Sequence, residues 1–288
     1  PNWINGLDEP LPVAPTVAHT PLAISLQNVT FRYPGASQPA LKNVSMEIPA
    51  GAFVAITGPV GCGKSALLRA VLGLYPLEQG QIRVNEQPLS EIPADVRTAQ
   101  MGYLPQDPFL FSGTIRENIS FGINESSDEV RIAQAAATSI LEPDLKTFPA
   151  GIDTQIGELG TRVSGGQRQR VALARSLAAT PTLPGLLVLD DPFSAVDLDT
   201  EALLIESLRQ AFGPDAPENH RATLLLSSHR LAAFPQADRI IVLDQGGILE
   251  SGSHTELMAT GGLYARIFKA QALVSHTNGN SWNGAAHA

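Results

Sequence analysis

Apolar positions along this chain follow two different periods. Loosely alternating or continuous apolar runs predict strands over Leu22–Arg32, Val44–Ile48, Phe53–Thr57, Gln81–Val84, Met101–Leu104, Leu186–Leu189, Thr223–Ser227 and Arg239–Leu243. Lys64–Leu74 is apolar on most faces and predicts a buried helix. Between residues 107 and 170 the β-type runs give way to helical spacing, over Thr114–Ser120, Ser127–Ser139 and Gly166–Ala178, with Ser, Asp and Gly at cap positions. Strands that alternate with helices predict an α/β fold built on a mostly parallel sheet covered on both faces. Residues 1–21 are rich in proline and lack periodicity, which reads as an extended linker. The folded body is expected over 22–270, and the small, polar residues 271–288 read as a disordered tail.

Composition narrows the classes of function. The 288 residues carry a formal net charge of −9, a poor match to a general nucleic-acid binder, which needs clustered Lys and Arg. Apolar residues make up 43 %, enough for a packed core. The single cysteine, Cys62, excludes a disulfide framework and a cysteine-based zinc site within the chain. No apolar run approaches the ~18–20 residues that span a bilayer, and the N-terminus carries no cationic stretch followed by an apolar core. The start at Pro1 reads as a segment of a longer polypeptide.

Gly58-Pro59-Val60-Gly61-Cys62-Gly63-Lys64-Ser65 fits G-x-x-x-x-G-K-[ST] and lies between a predicted strand and a predicted helix. Glycines let such a loop wrap phosphates, and the amides and dipole of the helix start attract the anion. Lys64 is expected to reach the β- and γ-phosphates of a nucleotide, and Ser65 to ligate Mg²⁺. Leu186–Leu189 runs into Asp190, the acid on the Mg²⁺ side of phosphate-loop nucleotidases.

Between those elements lies Val163-Ser164-Gly165-Gly166-Gln167-Arg168-Gln169-Arg170. This resembles the signature motif of the ATP-binding-cassette family, and other segments match that family in order. Tyr33 looks like the aromatic that stacks on adenine, and Gln106 like the glutamine that touches Mg²⁺ and signals to the membrane domain. Ser194-Ala195-Val196-Asp197 is similar to the D-loop, and His229 to the switch histidine at the γ-phosphate. The resemblance implies a nucleotidase core with a parallel sheet, an N-terminal antiparallel β subdomain and an inserted helical subdomain at about 107–170. It also implies head-to-tail pairing of two cassettes, with Ser164, Gly165, Gly166 and Gln167 facing the nucleotide of the other. Thr154–Gly160 is similar to a segment of exporter-type cassettes that contacts the membrane domain, with Leu159 where arginine is usual. Asp244–Gly252, Gly261–Phe268 and INGLDEP also resemble exporter halves. The expected partners are a second cassette and the transmembrane domains of an exporter, at the cytoplasmic face of a membrane.

One position departs from the pattern. Where most active members carry a glutamate that polarises the attacking water, this chain has Asp191. Its carboxylate falls short by roughly 1 Å, and a misplacement of that size can cost about a hundredfold in rate. Asp191 is therefore read as marking a weak hydrolytic site. The segment resembles the degenerate-site half of heterodimeric exporters and the first cassette of the multidrug-resistance-associated subfamily, which implies a non-identical partner. Two other readings stand beside it: a regulatory ATP-binding half with negligible hydrolysis, and a soluble cassette ATPase. The histidines show no metal spacing; His19, His220, His276 and His287 are expected in solvent, and His254 at a helix start.

Overall fold

The computed structural model describes residues 19–121, 128–157, 162–180 and 183–280. The expected linker thus lies almost wholly outside the described residues, as do INGLDEP and the Glu158–Gly160 part of the exporter-like segment.

Two sheets form the body. Strands β1 (Ile24–Phe31) and β2 (Leu41–Ile48) open the chain, β3 (Phe53–Thr57) enters the second sheet, and β4 (Gln79–Val84) with the short β5 (Gln87–Pro88) returns to the first. The first sheet is antiparallel with order β2-β1-β4-β5. The second takes in β6 (Met101–Leu104), β9 (Leu186–Asp190), β10 (Thr223–Ser227), β11 (Arg239–Asp244) and β12 (Gly247–Gly252), in the order β12-β11-β3-β10-β9-β6. All its pairs are parallel except β11–β12, a hairpin closed by Gln245 and Gly246 in left-handed conformation. A third, two-stranded pairing joins β7 (Gly113–Thr114) to β8 (Gln155–Ile156).

The continuous apolar runs of the central strands are explained by burial on both faces. Successive residues alternate between two cores. Phe53, Ala55, Leu187, Leu189, Leu224 and Leu226 pack on the side of α3 (Ile115–Ile119), α4 (Asp128–Thr138), α6 (Gly165–Ala178) and α7 (Leu198–Phe212). Val54, Ile56, Leu186, Val188 and Leu225 pack on the other side, against α1 (Lys64–Val71) and the antiparallel sheet.

The helical insertion is set by its caps. Thr114 and Glu117 form a reciprocal capping box that starts α3. Ser164 and Gln167 do the same for α6. The expected helical boundary at 170 falls in the middle of α6, which runs on without a break to Ala178 and returns the chain to the core. The helix after the phosphate loop stops at Val71 rather than Leu74, and Arg97, from α2 (Ala94–Gln100), donates to the carbonyls of Leu72 and Gly73 at 3.5 and 3.0 Å there.

One expectation is corrected at the C-terminus. The tail predicted to be disordered from 271 is helical as far as Asn280, in α9 (Leu263–Asn280). Its composition is weak, but its first turns are anchored: Tyr264 is fully buried, and Gln271 donates to His229 O at 2.6 Å and accepts from Leu231 N at 3.0 Å. Residues 281–288 lie outside the described residues. His19 is also tied down, with Nδ1 3.0 Å from Leu183 O.

Candidate nucleotide site

The phosphate loop links the end of β3 to α1, whose N-cap is Gly63. At Gly58 the φ of 144° and the close approach of β11 both demand glycine, because a β-carbon there would lie 2.1 Å from Leu243 O. Gly61 has open space but a φ of 79°. Lys64 is buried, and its Nζ donates to the carbonyls of Gly58 and Pro59 at 2.9 and 3.1 Å, so the ammonium sits over the loop. Ser65 follows on the first turn, half-buried. Cys62 lines the loop from within; burial pushes its thiol up against the opposing pull of Lys64. Pro59 and Val60 are exposed on the loop's outer side.

Parallel strands put the remaining chemistry at the same sheet edge, beyond their carboxyl ends, where open α/β sheets bind ligands. β9 ends in Asp190 and continues into Asp191, and β10 ends in Ser227 and continues through Ser228 to His229. Asp190 Oδ1 accepts from Ser227 Oγ at 2.7 Å, whereas its buried Oδ2 has no partner among the described residues. A buried carboxylate oxygen left alone is costly, and a hard cation or its water would satisfy it. No group of three His, Cys, Asp or Glu side chains able to hold a metal exists among the described residues. Mg²⁺ is bound through one or two carboxylates and completes its shell with substrate phosphates and water. Ser65 and Asp190 are the groups suited to it.

Asp191 has a left-handed φ of 51° and is 8 % exposed. Its amide donates to Ser227 O at 2.8 Å and its Oδ1 accepts from Ser228 Oγ at 3.2 Å. His229 is exposed next to it, and Gln106 is exposed just past β6, on the β9 side of the sheet. Tyr33 lies half-buried in an aromatic cluster, edge-on to Phe31 and Tyr75, with its hydroxyl 3.1 Å from Arg69 Nη1.

The signature residues do not join this constellation. Ser164 and Gln167 cap each other, and Gln167 Nε2 reaches Asp144 Oδ1 at 3.4 Å. Arg170 forms a half-buried ion pair with the same Asp144 at 2.6 Å, fixing α6 on the helical insertion. Among the described residues, none of Ser164–Gln167 hydrogen-bonds to the phosphate loop. Gly165 and Gly166 instead pack on the D-loop-like turn, where a β-carbon on Gly166 would lie 2.9 Å from Ala195 O. Asp197 is the N-cap of α7, and hydrogen bonds from the Thr200 amide and hydroxyl, both at 2.8 Å, hold its carboxyl below the usual range.

Three participants escape motif reading. Gln169 bonds the main chain of Asp191. Ser228 holds the Asp191 carboxylate. Arg230 bridges Val196 O at 2.7 Å and the buried Glu201 at 2.9 Å, linking the histidine's turn to the start of α7. Their one sequence signal is polarity inside apolar surroundings, as with Gln169 ahead of Val171–Ala174.

A second surface lies beyond Gln106. Phe109, Phe111 and Phe121 are 70, 39 and 55 % exposed, with the last two stacked at 4.3 Å. The Arg175 guanidinium lies 5.0 Å from the centre of the Phe111 ring and donates to Phe109 O and Asn118 O.

Residues 41–194 match the family model described as ABC transporter. A probable multidrug resistance ABC transporter ATP-binding/permease protein of Bacillus subtilis is 37 % identical over 271 residues, covering 94 % of this chain and 44 % of the relative. An ATM1-type heavy metal exporter of Novosphingobium aromaticivorans is 35 % identical, over 92 % of this chain and 42 % of its own length. The structure of a bacterial Atm1-family ABC exporter with ATP bound superposes with a TM-score of 0.79 at 35 % identity, over 91 % of this chain and 44 % of that one. The chain thus spans less than half the length of these relatives.

Proposed function

Since the chain belongs to the ABC transporter family and is an ATP-hydrolysing cassette of it, we propose that it works as the nucleotide-binding motor of an exporter. In this reading it pairs head to tail with a second, non-identical cassette at the cytoplasmic face of a membrane. The observation that carries the reading is the meeting of the phosphate loop, Asp190, Asp191 and His229 at one sheet edge, while among the described residues Ser164–Gln167 make no hydrogen bond to the phosphate loop. An anion site without its own phosphate loop suits a nucleotide held by another subunit.

Each residue then has a task in hydrolysis of MgATP. Lys64 trades the carbonyls of Gly58 and Pro59 for phosphate oxygens, and the amides of Gly61–Ser65 face the anion. Tyr33 offers its ring to the adenine. Ser65, Asp190 and Gln106 would hold Mg²⁺, which would supply positive charge against the phosphate oxygens. Asp191 orients the water whose oxygen attacks the γ-phosphorus as the bond to the ADP oxygen breaks, and His229 faces the γ-phosphate. Asp197 completes the edge offered to the partner. Asp191 is one methylene short for this task and its Oδ1 is already bonded to Ser228, which supports a slow site of its own. The same bond favours the second reading, a regulatory half that holds ATP with negligible turnover.

The exposed Phe109, Phe111 and Phe121 supply an apolar platform next to Gln106, suited to a helix end of the transmembrane domain. ATP turnover measured against concentration for this chain and for Asp191→Glu tests the proposal. In this chain alone both are expected to bind ATP with flat turnover, and the variant to gain tenfold or more once a partner cassette with its own hydrolysis abolished is added. A steeper-than-linear rise without the partner would refute the non-identical pairing. Brisk turnover by the unmodified chain would refute the weak-site reading.

A further inference from the structure

Gln169 lies inside α6 with 3 % of its surface exposed. Its Nε2 donates to the main-chain carbonyl of Asp191 at 2.8 Å. Its Oε1 accepts from the Ser194 hydroxyl and the Ala195 amide, both at 3.2 Å. A primary amide donates at one end and accepts at the other, and this site uses both ends. Leaving such buried groups without partners is costly, so the contact is a fixed one. Gly166, on the same helix, brings the backbone close enough to Ala195 to exclude a β-carbon. On the other side of Asp191, Ser227 O accepts its amide at 2.8 Å and Ser228 Oγ bonds its carboxylate. The peptide carrying the acid is therefore clamped between β10 and the helix that begins with the signature.

We propose that Gln169 is a positioning residue for ATP hydrolysis. It fixes the Asp191 peptide and the Ser194–Ala195 turn to α6, so the acid of the chain's own site and the Ser164–Gln167 end move as one piece. The consequence for two nucleotides at once rests on the head-to-tail pairing proposed above; the placement of Asp191 does not. The step served is the orientation of the attacking water, which Gln169 reaches only through the Asp191 main chain.

The test compares wild type, Gln169→Leu and Gln169→Glu. Steady-state turnover is read in the complete exporter with the partner cassette's own hydrolysis abolished, so that only the Asp191 site counts, and amide hydrogen exchange and MgATP titration in the 288-residue chain. In Gln169→Leu, kcat is expected to fall at least tenfold with KM and Kd for MgATP within twofold of wild type, because a shift near 1 Å costs about a hundredfold. Exchange of the Ala195 amide should quicken at least tenfold. Gln169→Glu keeps the acceptor and loses the donor, so Ala195 stays protected while kcat still falls. It also decides the matter, by its kcat, if the leucine variant fails to fold. A kcat within twofold of wild type overturns the proposal, as does a loss of ATP affinity equal to the loss of rate. Failure of the head-to-tail reading shows separately, as turnover strictly linear in chain concentration when this chain is mixed with its partner cassette, and leaves the exchange and kcat criteria for Gln169 intact.

Discussion

Ser228 Oγ donates to Asp191 Oδ1 at 3.2 Å across two adjacent strand ends, and the same Oγ accepts the Arg230 amide at 2.9 Å. One hydroxyl thus ties the acid at the end of β9 to both sides of His229. Ser228→Ala should leave MgATP affinity within twofold but lower turnover about tenfold, equivalent to about 1.4 kcal/mol of barrier. Parallel titration and steady-state assays in the complete exporter, with the partner cassette's own hydrolysis abolished, would show it.

Asp191 itself holds a left-handed φ of 51°, a conformation that aspartate tolerates better than most side chains. The rate gain expected of Asp191→Glu should therefore come with a lower melting temperature. Scanning calorimetry of the two proteins without nucleotide measures this, and an unchanged or higher midpoint would contradict it.

The phosphate loop offers a graded comparison. Gly61→Ala meets no atom within 4 Å and carries only the strain of its φ, about 1–2 kcal/mol. Gly58→Ala adds a contact of 2.1 Å with Leu243 O, a backbone atom that cannot swing away. Urea denaturation should rank Gly58→Ala as clearly the more damaging, with MgATP binding lost in that variant.

Burial pushes the Glu201 carboxyl above its ordinary value of 4.5, opposed by its bond to Arg230. Its Oε1 is buried without a partner among the described residues. A raised carboxyl binds its proton more tightly folded than unfolded. Its contribution to stability is full below pH 4.5 and is lost as pH rises through the raised value. Glu201→Gln should flatten the decline in urea midpoint from pH 4.5 upwards. An unaltered slope would mean that the carboxyl titrates alike in the folded and the unfolded chain.

The aromatic platform yields a prediction about coupling. Phe121→Ser removes half of the stacked pair with Phe111 from an exposed surface. Thermal stability should change little, since surface substitutions usually stay within about 0.5 kcal/mol. Stimulation of ATPase activity by transported compounds in the whole exporter should fall severalfold, and unchanged stimulation would place the membrane contact elsewhere.

Sequence by itself determined the parts whose chemistry is local. A phosphate cradle needs glycines, lysine and serine within one turn, so Gly58–Ser65 is legible wherever it folds. The central strands were equally plain, because a strand buried on both faces reads as one apolar run, and Leu186–Asp190 and Thr223–Ser227 lie where expected. The cap at Ser164 was likewise written in its four residues. Tertiary structure alone decided what joins distant segments. It sends alternate residues of one run, Leu187 and Val188, into separate cores. It keeps α9 helical past 271 through the Gln271 bond to His229 O. It also brings Gln169 and Ser228 to Asp191 from positions 22 and 37 residues away. Such bonds carry no local signature, because a buried amide or hydroxyl is defined by the partner that folding delivers to it.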